Sequence, residues 1–174
     1  MTPEAQQRFT SVYRAEFPYV WKSLGRLGAR EREREDLAHD VFTTAFRHWD
    51  AYDAARPVRP WLFGIAYRVL LDFRRKRQNQ MEDVMERVEL ADAARSADDA
   101  LAAQQAWALA ARALDALELD RRAVFVMHEI DERPIPEVAQ ELGIPLNTAY
   151  SRLRLARRDF NQKVAEYQTG RMAP

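Results

Sequence analysis

Apolar side chains spaced three and four residues apart recur through most of this 174-residue chain, a rhythm that lines one face of a helix and is incompatible with strands. Phe9, Val12, Tyr13, Phe17, Val20, Leu24 and Leu27 form the first such stripe, which Gly25 and Gly28 bring to an end. Leu37, Val41, Phe42, Ala45 and Trp49 form the second, behind the charged run 30–36, whose acidic members suit a helix start. A loop over 51–59 containing Pro57 follows. Pro60 then fits the first turn of a third helix, where its missing N–H is no loss, with Leu62, Ile65, Ala66, Val69 and Phe73 as its inner stripe. That helix is expected to close on the basic cluster Arg74 to Arg77, which complements the negative end of the helix dipole.

Large apolar residues thin out over 78–108, where Ala, Asp and Glu dominate. Lys and Arg number 15 against 10 acidic residues in 1–77, 2 against 7 in 78–108, and 10 against 10 in 109–174. The net charge of zero therefore hides two segments flanking an acidic bridge with too little apolar surface for a core of its own. The expected architecture is all-α: a helical domain over 1–77, an acidic, partly helical linker over 78–108, and a second helical domain over 109–168. With no cysteine, disulfides and thiolate metal sites are excluded. No apolar run approaches the about 18 residues of a membrane helix, and the charged N-terminus lacks a signal-peptide core, so a cytoplasmic protein is expected.

In the second domain the helical pattern returns with Leu114, Leu117, Val124 and Met127, then breaks into three punctuated pieces. Pro134 and Pro136 open a short helix with Val138, Ala139 and Leu142 on its inner face. Gly143 breaks it, and Ile144 to Asn147 lead into a long helix with the stripe Ala149, Leu153, Ala156, Phe160 and Val164. Short helix, glycine turn and longer helix make the pattern of a helix-turn-helix. Off the stripe lie Tyr150, Ser151, Arg152, Arg154, Arg157 and Arg158, with Asn147 and Thr148 near the start. Such a face suits a DNA major groove, where arginine bonds guanine through two parallel hydrogen bonds. A plain solvated basic helix would share the arginines but not the punctuation.

The first domain carries a more specific resemblance. Glu35 to Phe42, with Ala45-Phe46-Arg47, is similar to region 2.2 of sigma factors of the extracytoplasmic-function group. Trp61 to Ala66 and Asp72 to Arg75 resemble regions 2.3 and 2.4, and Leu114 to Lys163, including Thr148 to Arg154, resembles region 4. The resemblance implies a factor that binds RNA polymerase core through its beta-prime and beta subunits and directs it to promoter DNA, with an anti-sigma factor as expected regulator. It implies core contacts by Asp36, His39, Asp40, Thr43 and Arg47. It places the minus-ten element and the edge of the melted region against Tyr52, Arg56, Arg59, Trp61, Arg68, Arg74, Arg75 and Arg77. The minus-thirty-five element falls to Asn147, Thr148, Tyr150, Ser151, Arg152, Arg154 and Arg157. The chain departs from the family's usual residues at His39 (often Gln), on the polymerase-facing surface, and at Arg68 (often Asn) and Tyr150 (commonly Lys or Arg), two departures that leave its preferred minus-ten and minus-thirty-five bases open.

The residues themselves fit promoter opening. Trp49, Tyr52, Trp61, Phe63 and Tyr67 surround a loop carrying Arg56 and Arg59, and aromatic faces contribute about 1–3 kcal/mol per stacked base on single strands. Trp49 and Trp61 lie on or beside apolar stripes, whereas Tyr52 and Tyr67 are expected to be exposed. Arg74 to Arg77 can neutralise phosphates without reading sequence. Two rivals use other parts of the pattern. A stand-alone helix-turn-helix regulator would need only the C-terminal helices. A metal enzyme would need Glu35, Asp36, His39 and Asp40 as ligands, but His48 and His128 lie elsewhere and no phosphate-cradling glycine loop occurs. No cofactor, metal, catalytic residue or small-molecule substrate is expected.

Overall fold

The computed structural model describes residues 2–80 and 98–169, and every regular element among them is helical. The central part of the expected linker, 81–97, lies outside the described residues. Helix α1 spans Pro3–Arg26, with Thr2 accepting the Ala5 amide at 3.2 Å and proline in the first turn. Pro18 sits inside α1 on its exposed side, so the Arg14 carbonyl deprived of an amide partner faces water. Helix α2 spans Glu31–Arg47, and its Glu33 carboxylate accepts the Arg30 amide at 3.3 Å, satisfying one unpaired N–H at the helix start. A single 3-10 turn, Trp49–Ala51, leads to the loop before α3, Val58–Gln80. Helix α3 thus runs three residues past the basic cluster, because Gln78, Asn79 and Gln80 contain no helix breaker and continue the same turns.

The C-terminal half begins with α4, Asp98–Asp115, and α5, Leu119–Phe125, which runs into a π turn over Val126–Ile130. Glu132 follows in the left-handed region at φ 55°. Helix α6 spans Ile135–Leu142 and α7 spans Leu146–Thr169. Between them Gly143 takes φ 68° and ψ 38°, and the Ile144 amide reaches back to the Ala139 carbonyl at 2.9 Å. This is the left-handed helix end that glycine adopts without a steric penalty.

One buried cluster runs through both halves. It joins Phe9, Val20 and Leu24 of α1, Leu37, Val41 and Phe42 of α2, and Leu62, Phe63 and Leu70 of α3 to Val124, Met127, Val138, Leu142, Ala149 and Leu153. Helix α3 lies against α6, and polar bonds ring this junction. Tyr19 Oη donates to Asp131 at 2.8 Å, Arg26 pairs with the same carboxylate at 3.1 Å, and Tyr67 Oη donates to Asp120 at 2.7 Å. Arg122, only 3% exposed, pairs with Asp115 at 3.0 Å and abuts Gly28 and Arg74 of the other half, while its Nε has no partner. Burial lowers the proton affinity of both guanidinium groups, and their mutual repulsion adds to this at Arg122.

Tyr67 is therefore not the exposed aromatic expected from the sequence. It is 6% exposed, because the C-terminal half covers its ring and Asp120 takes its hydroxyl. The helical stripe of α3 is apolar enough to predict burial against α1 and α2, but the second contact comes from a segment 53 positions away.

Two outcomes follow for stability. An added Cβ at Gly143 meets nothing within 4 Å, so Gly143→Ala is expected to lose only the backbone term, about 1–2 kcal/mol in urea unfolding, with Gly143→Asn losing less. The Tyr67 phenol is pushed up to about 12 by burial, then by its hydrogen bond and the charge of Asp120. Its raised value means that its contribution is complete below pH 10, the ordinary phenol value, and is lost as pH rises through 12. Urea midpoints of Tyr67→Phe measured at pH 9 and pH 11 should therefore fall less between the two than those of the parent.

Candidate polymerase and promoter interfaces

Helix α2 turns its apolar stripe inward and leaves Asp36, His39, Asp40, Thr43 and Arg47 exposed on the opposite side. Their spacing places them along one face over about three turns. His39 Nδ1 lies 2.9 Å from the Glu35 carbonyl and its ring is 5.6 Å from Phe17, so the imidazole rests on the helix. Among the described residues no group of three His, Cys, Asp or Glu side chains is placed to hold a metal ion, including the acidic run with His39. Exposed Phe46 adds an apolar spot near this face and packs edge-on against Phe9, with ring centroids 5.1 Å apart.

Of the aromatic group expected around the first loop, Trp49, Tyr52 and Trp61 form a connected stack, whereas Phe63 and Tyr67 are buried on α3. Trp49 lies 5.2 Å from Tyr52 and 6.1 Å from Trp61, and Tyr52 lies 4.7 Å from Trp61. Trp49 is buried, while Tyr52 and Trp61 are half-buried, so each of the latter two presents part of a ring outward. The Tyr52 hydroxyl donates to the Arg56 carbonyl, which folds the loop back on itself. Asp53 closes the same loop by accepting the Ala55 amide at 2.9 Å.

The basic residues divide by direction. Arg59 reaches Glu16 at 2.8 Å and lies over the Tyr19 ring, Arg56 pairs with Glu141, and exposed Arg68 donates to the Glu141 carbonyl at 3.0 Å. Arg74 is half-buried and donates to the carbonyls of Leu27 and Gly28 at 3.2 and 3.0 Å, satisfying the end of α1. Arg77 pairs with Glu33 at 2.6 Å. Arg75 and Lys76 are exposed, with Arg75 4.0 Å from Asp72.

On α7, Asn147, Tyr150, Ser151, Arg154 and Arg157 are exposed and Thr148 is half-buried. Ala149, Leu153 and Ala156 anchor the opposite side. Arg157 pairs with Glu129 at 2.6 Å, whereas Arg154 makes no ion pair among the described residues. Arg152 is turned inward onto Asp120, the carboxylate that also holds Tyr67. Sequence reading missed the carboxylates Asp120, Asp131 and Glu141 as partners of these donors. For Glu141 a signal existed: it lies three positions after Val138, next to the inner face of α6, where a solvated carboxylate is not expected.

Two family models match separate stretches of the chain. The model for sigma-70 region 2 matches residues 12–80 and that for sigma-70 region 4 matches residues 108–160. The ECF RNA polymerase sigma factor RpoE of Cereibacter sphaeroides is 30% identical over 150 residues, covering 85% of this chain and 81% of its own. The sigma factor CnrH of Cupriavidus metallidurans is 30% identical over 138 residues, covering 75% of this chain and 72% of its own. Among solved structures, RpoE of Bartonella quintana in complex with the anti-sigma factor NepR superposes with a TM-score of 0.73 at 20% identity, over 91% of this chain and 98% of that one. CnrH in complex with the cytosolic domain of CnrY gives 0.60 at 24% identity, over 92% and 90%. The ordered pair of sigma regions and the 30% identical relatives place this chain in the extracytoplasmic-function group of RNA polymerase sigma factors, which bind core polymerase and direct it to promoters.

Proposed function

We propose that this sigma factor docks on core polymerase through the outward face of α2, opens the minus-ten element with the loop and face around α3, and reads the minus-thirty-five element with the start of α7. Residues 1–77 act as the first unit, 78–108 as the tether and 109–168 as the second unit. One observation carries this reading: a single chain presents two separate outward polar faces, Asp36 to Arg47 on α2 and Asn147 to Arg157 on α7, each backed by a buried stripe. A stand-alone regulator would use only the second.

The chemistry at each face is recognition rather than reaction. At α7 the exposed guanidinium of Arg154 suits paired acceptors on guanine, and Asn147 suits base edges or phosphate. At the first loop, half-buried Tyr52 and Trp61 offer ring surface for unstacked bases. Arg75 and Lys76 are placed for phosphate contact, while Arg74 and Arg77 support that helix end through Gly28 and Glu33. The chain works in the cytoplasm and has no catalytic centre; bond formation belongs to the polymerase. An anti-sigma protein is the proposed regulator, supported by the two structural neighbours, each solved with a regulatory partner.

Two substitutions test the faces. Asp40→Arg places positive charge on the proposed docking surface and should weaken binding to core polymerase by about tenfold, with promoter duplex affinity unchanged; equal loss of both removes α2 from that role. Arg154→Ala should lower discrimination at its base pair by about 1–3 kcal/mol in run-off transcription with a randomised minus-thirty-five element. An unaltered base preference takes Arg154 off the DNA.

A further inference from the structure

Four large apolar side chains stand exposed among the described residues: Phe46, Trp107, Leu146 and Tyr150. Two of them, Leu146 at 43% and Tyr150 at 52%, are one helical turn apart at the start of α7. They are not spare members of the core stripe. Ile144, two positions earlier, packs against the buried cluster, as Ala149 and Leu153 do within α7, whereas Leu146 and Tyr150 stand out from it. Tyr150 makes no hydrogen bond and no ring contact among the described residues, so neither its ring nor its hydroxyl is engaged there.

The neighbours of this pair indicate what covers it. Arg154 lies one turn beyond Tyr150, so Leu146, Tyr150 and Arg154 form a row at steps of four along α7. Asn147 and Ser151 stand exposed beside that row, and Arg154 makes no ion pair among the described residues. Two side chains fall far short of a stable protein interface, which buries roughly 800 Å² on each partner. A protein would also have to satisfy Arg154, Asn147 and Ser151 on covering them. A DNA major groove meets both conditions. Its base edges supply paired acceptors for a guanidinium, and the C5 methyl of thymine supplies an apolar group of matching size.

We propose that Leu146 and Tyr150 form an apolar contact for a thymine methyl group in the minus-thirty-five element, one or two base pairs from the pair read by Arg154. The separation follows from the helix: residues one turn apart have Cβ atoms about 5–6 Å apart, and base pairs rise about 3.4 Å. The proposal rests on the seating of α7 in the major groove and adds a selected base to it. Selection works by taking the methyl group out of water and not through a hydrogen bond. It therefore distinguishes thymine from uracil, which offers the same acceptor in the groove.

Holoenzyme reconstituted from the full chain and core polymerase supplies the test. Selection from promoters with a randomised minus-thirty-five element identifies the preferred bases, and Arg154→Ala locates the pair that Arg154 reads. Each preferred thymine within two base pairs of it is then replaced by uracil, and promoter affinity is measured by competition. One such replacement should weaken binding by the parent about fourfold, the worth of a single buried methyl group. Leu146→Ala combined with Tyr150→Ala should bind the thymine and uracil promoters equally, with helical content by circular dichroism unchanged. Thymine sensitivity that survives in this variant assigns the methyl to other residues and overturns the proposal. A parent indifferent to uracil, or with no thymine preference there, also overturns it; a shift in base preference with Arg154→Ala then leaves α7 in the groove without this contact. No effect of either the uracil promoters or Arg154→Ala removes α7 from the groove and the underlying placement with it. A variant that loses affinity for core polymerase while keeping the parent's ratio of thymine to uracil binding places the pair on the polymerase instead of the DNA.

Discussion

The seating of Glu141 between Arg56 and the backbone of α3 determines how the two halves of this sigma factor relate. A carboxylate taken out of water loses several kcal/mol of hydration, and pairing recovers that only when the geometry is good and the remaining acceptors are filled. Here the side chain has Arg56, and the main-chain oxygen one residue before the α6 end has Arg68. The close approach at Gly64 makes both possible, since any larger residue would hold α6 away from the arginines. Apolar burial around Val138 and Leu142 provides the driving force, and the polar pairs fix the register in which it is realised.

This arrangement explains why zero net charge is informative after all. Several of the arginines expected to meet DNA pair with carboxylates of the same chain, Arg59 with Glu16, Arg77 with Glu33, Arg152 with Asp120 and Arg157 with Glu129, whereas Arg68 and Arg74 bond main-chain carbonyls. Exposed pairs of this kind contribute little stability, about 0–1 kcal/mol each, but they shape the surface potential. The outward sides of α2 and α7 keep their unmatched polar groups, among them Asp36, Asp40, Asn147 and Arg154.

Much of the fold was legible because its signals are local. The ends of α1 and α6 follow from Gly28 and Gly143, the start of α3 from Pro57 and Pro60, and the buried faces of α2 and α7 from apolar periodicity. The resemblance carried the family because motifs at both ends of the chain occur in order. What stayed hidden depends on contacts between distant segments. Tyr67 reads as exposed until Asp120 is brought over it, and Arg74 reads as a free phosphate ligand until the carbonyls of Leu27 and Gly28 are found beneath it. The π turn at Val126–Ile130 has no sequence marker either, since it continues an ordinary helical pattern with one extra residue.

The junction also contains an unfavourable contact. Arg122 and Arg74 bring two guanidinium groups together in a desolvated place with Asp115 as the carboxylate paired to Arg122, and one Arg122 nitrogen remains unsatisfied. A buried donor left without a partner costs about 1–3 kcal/mol, which subtracts from what the surrounding bonds contribute. The seam between the halves is therefore of uneven strength, firm where Glu141 meets Arg56 and weaker where Arg122 faces Arg74.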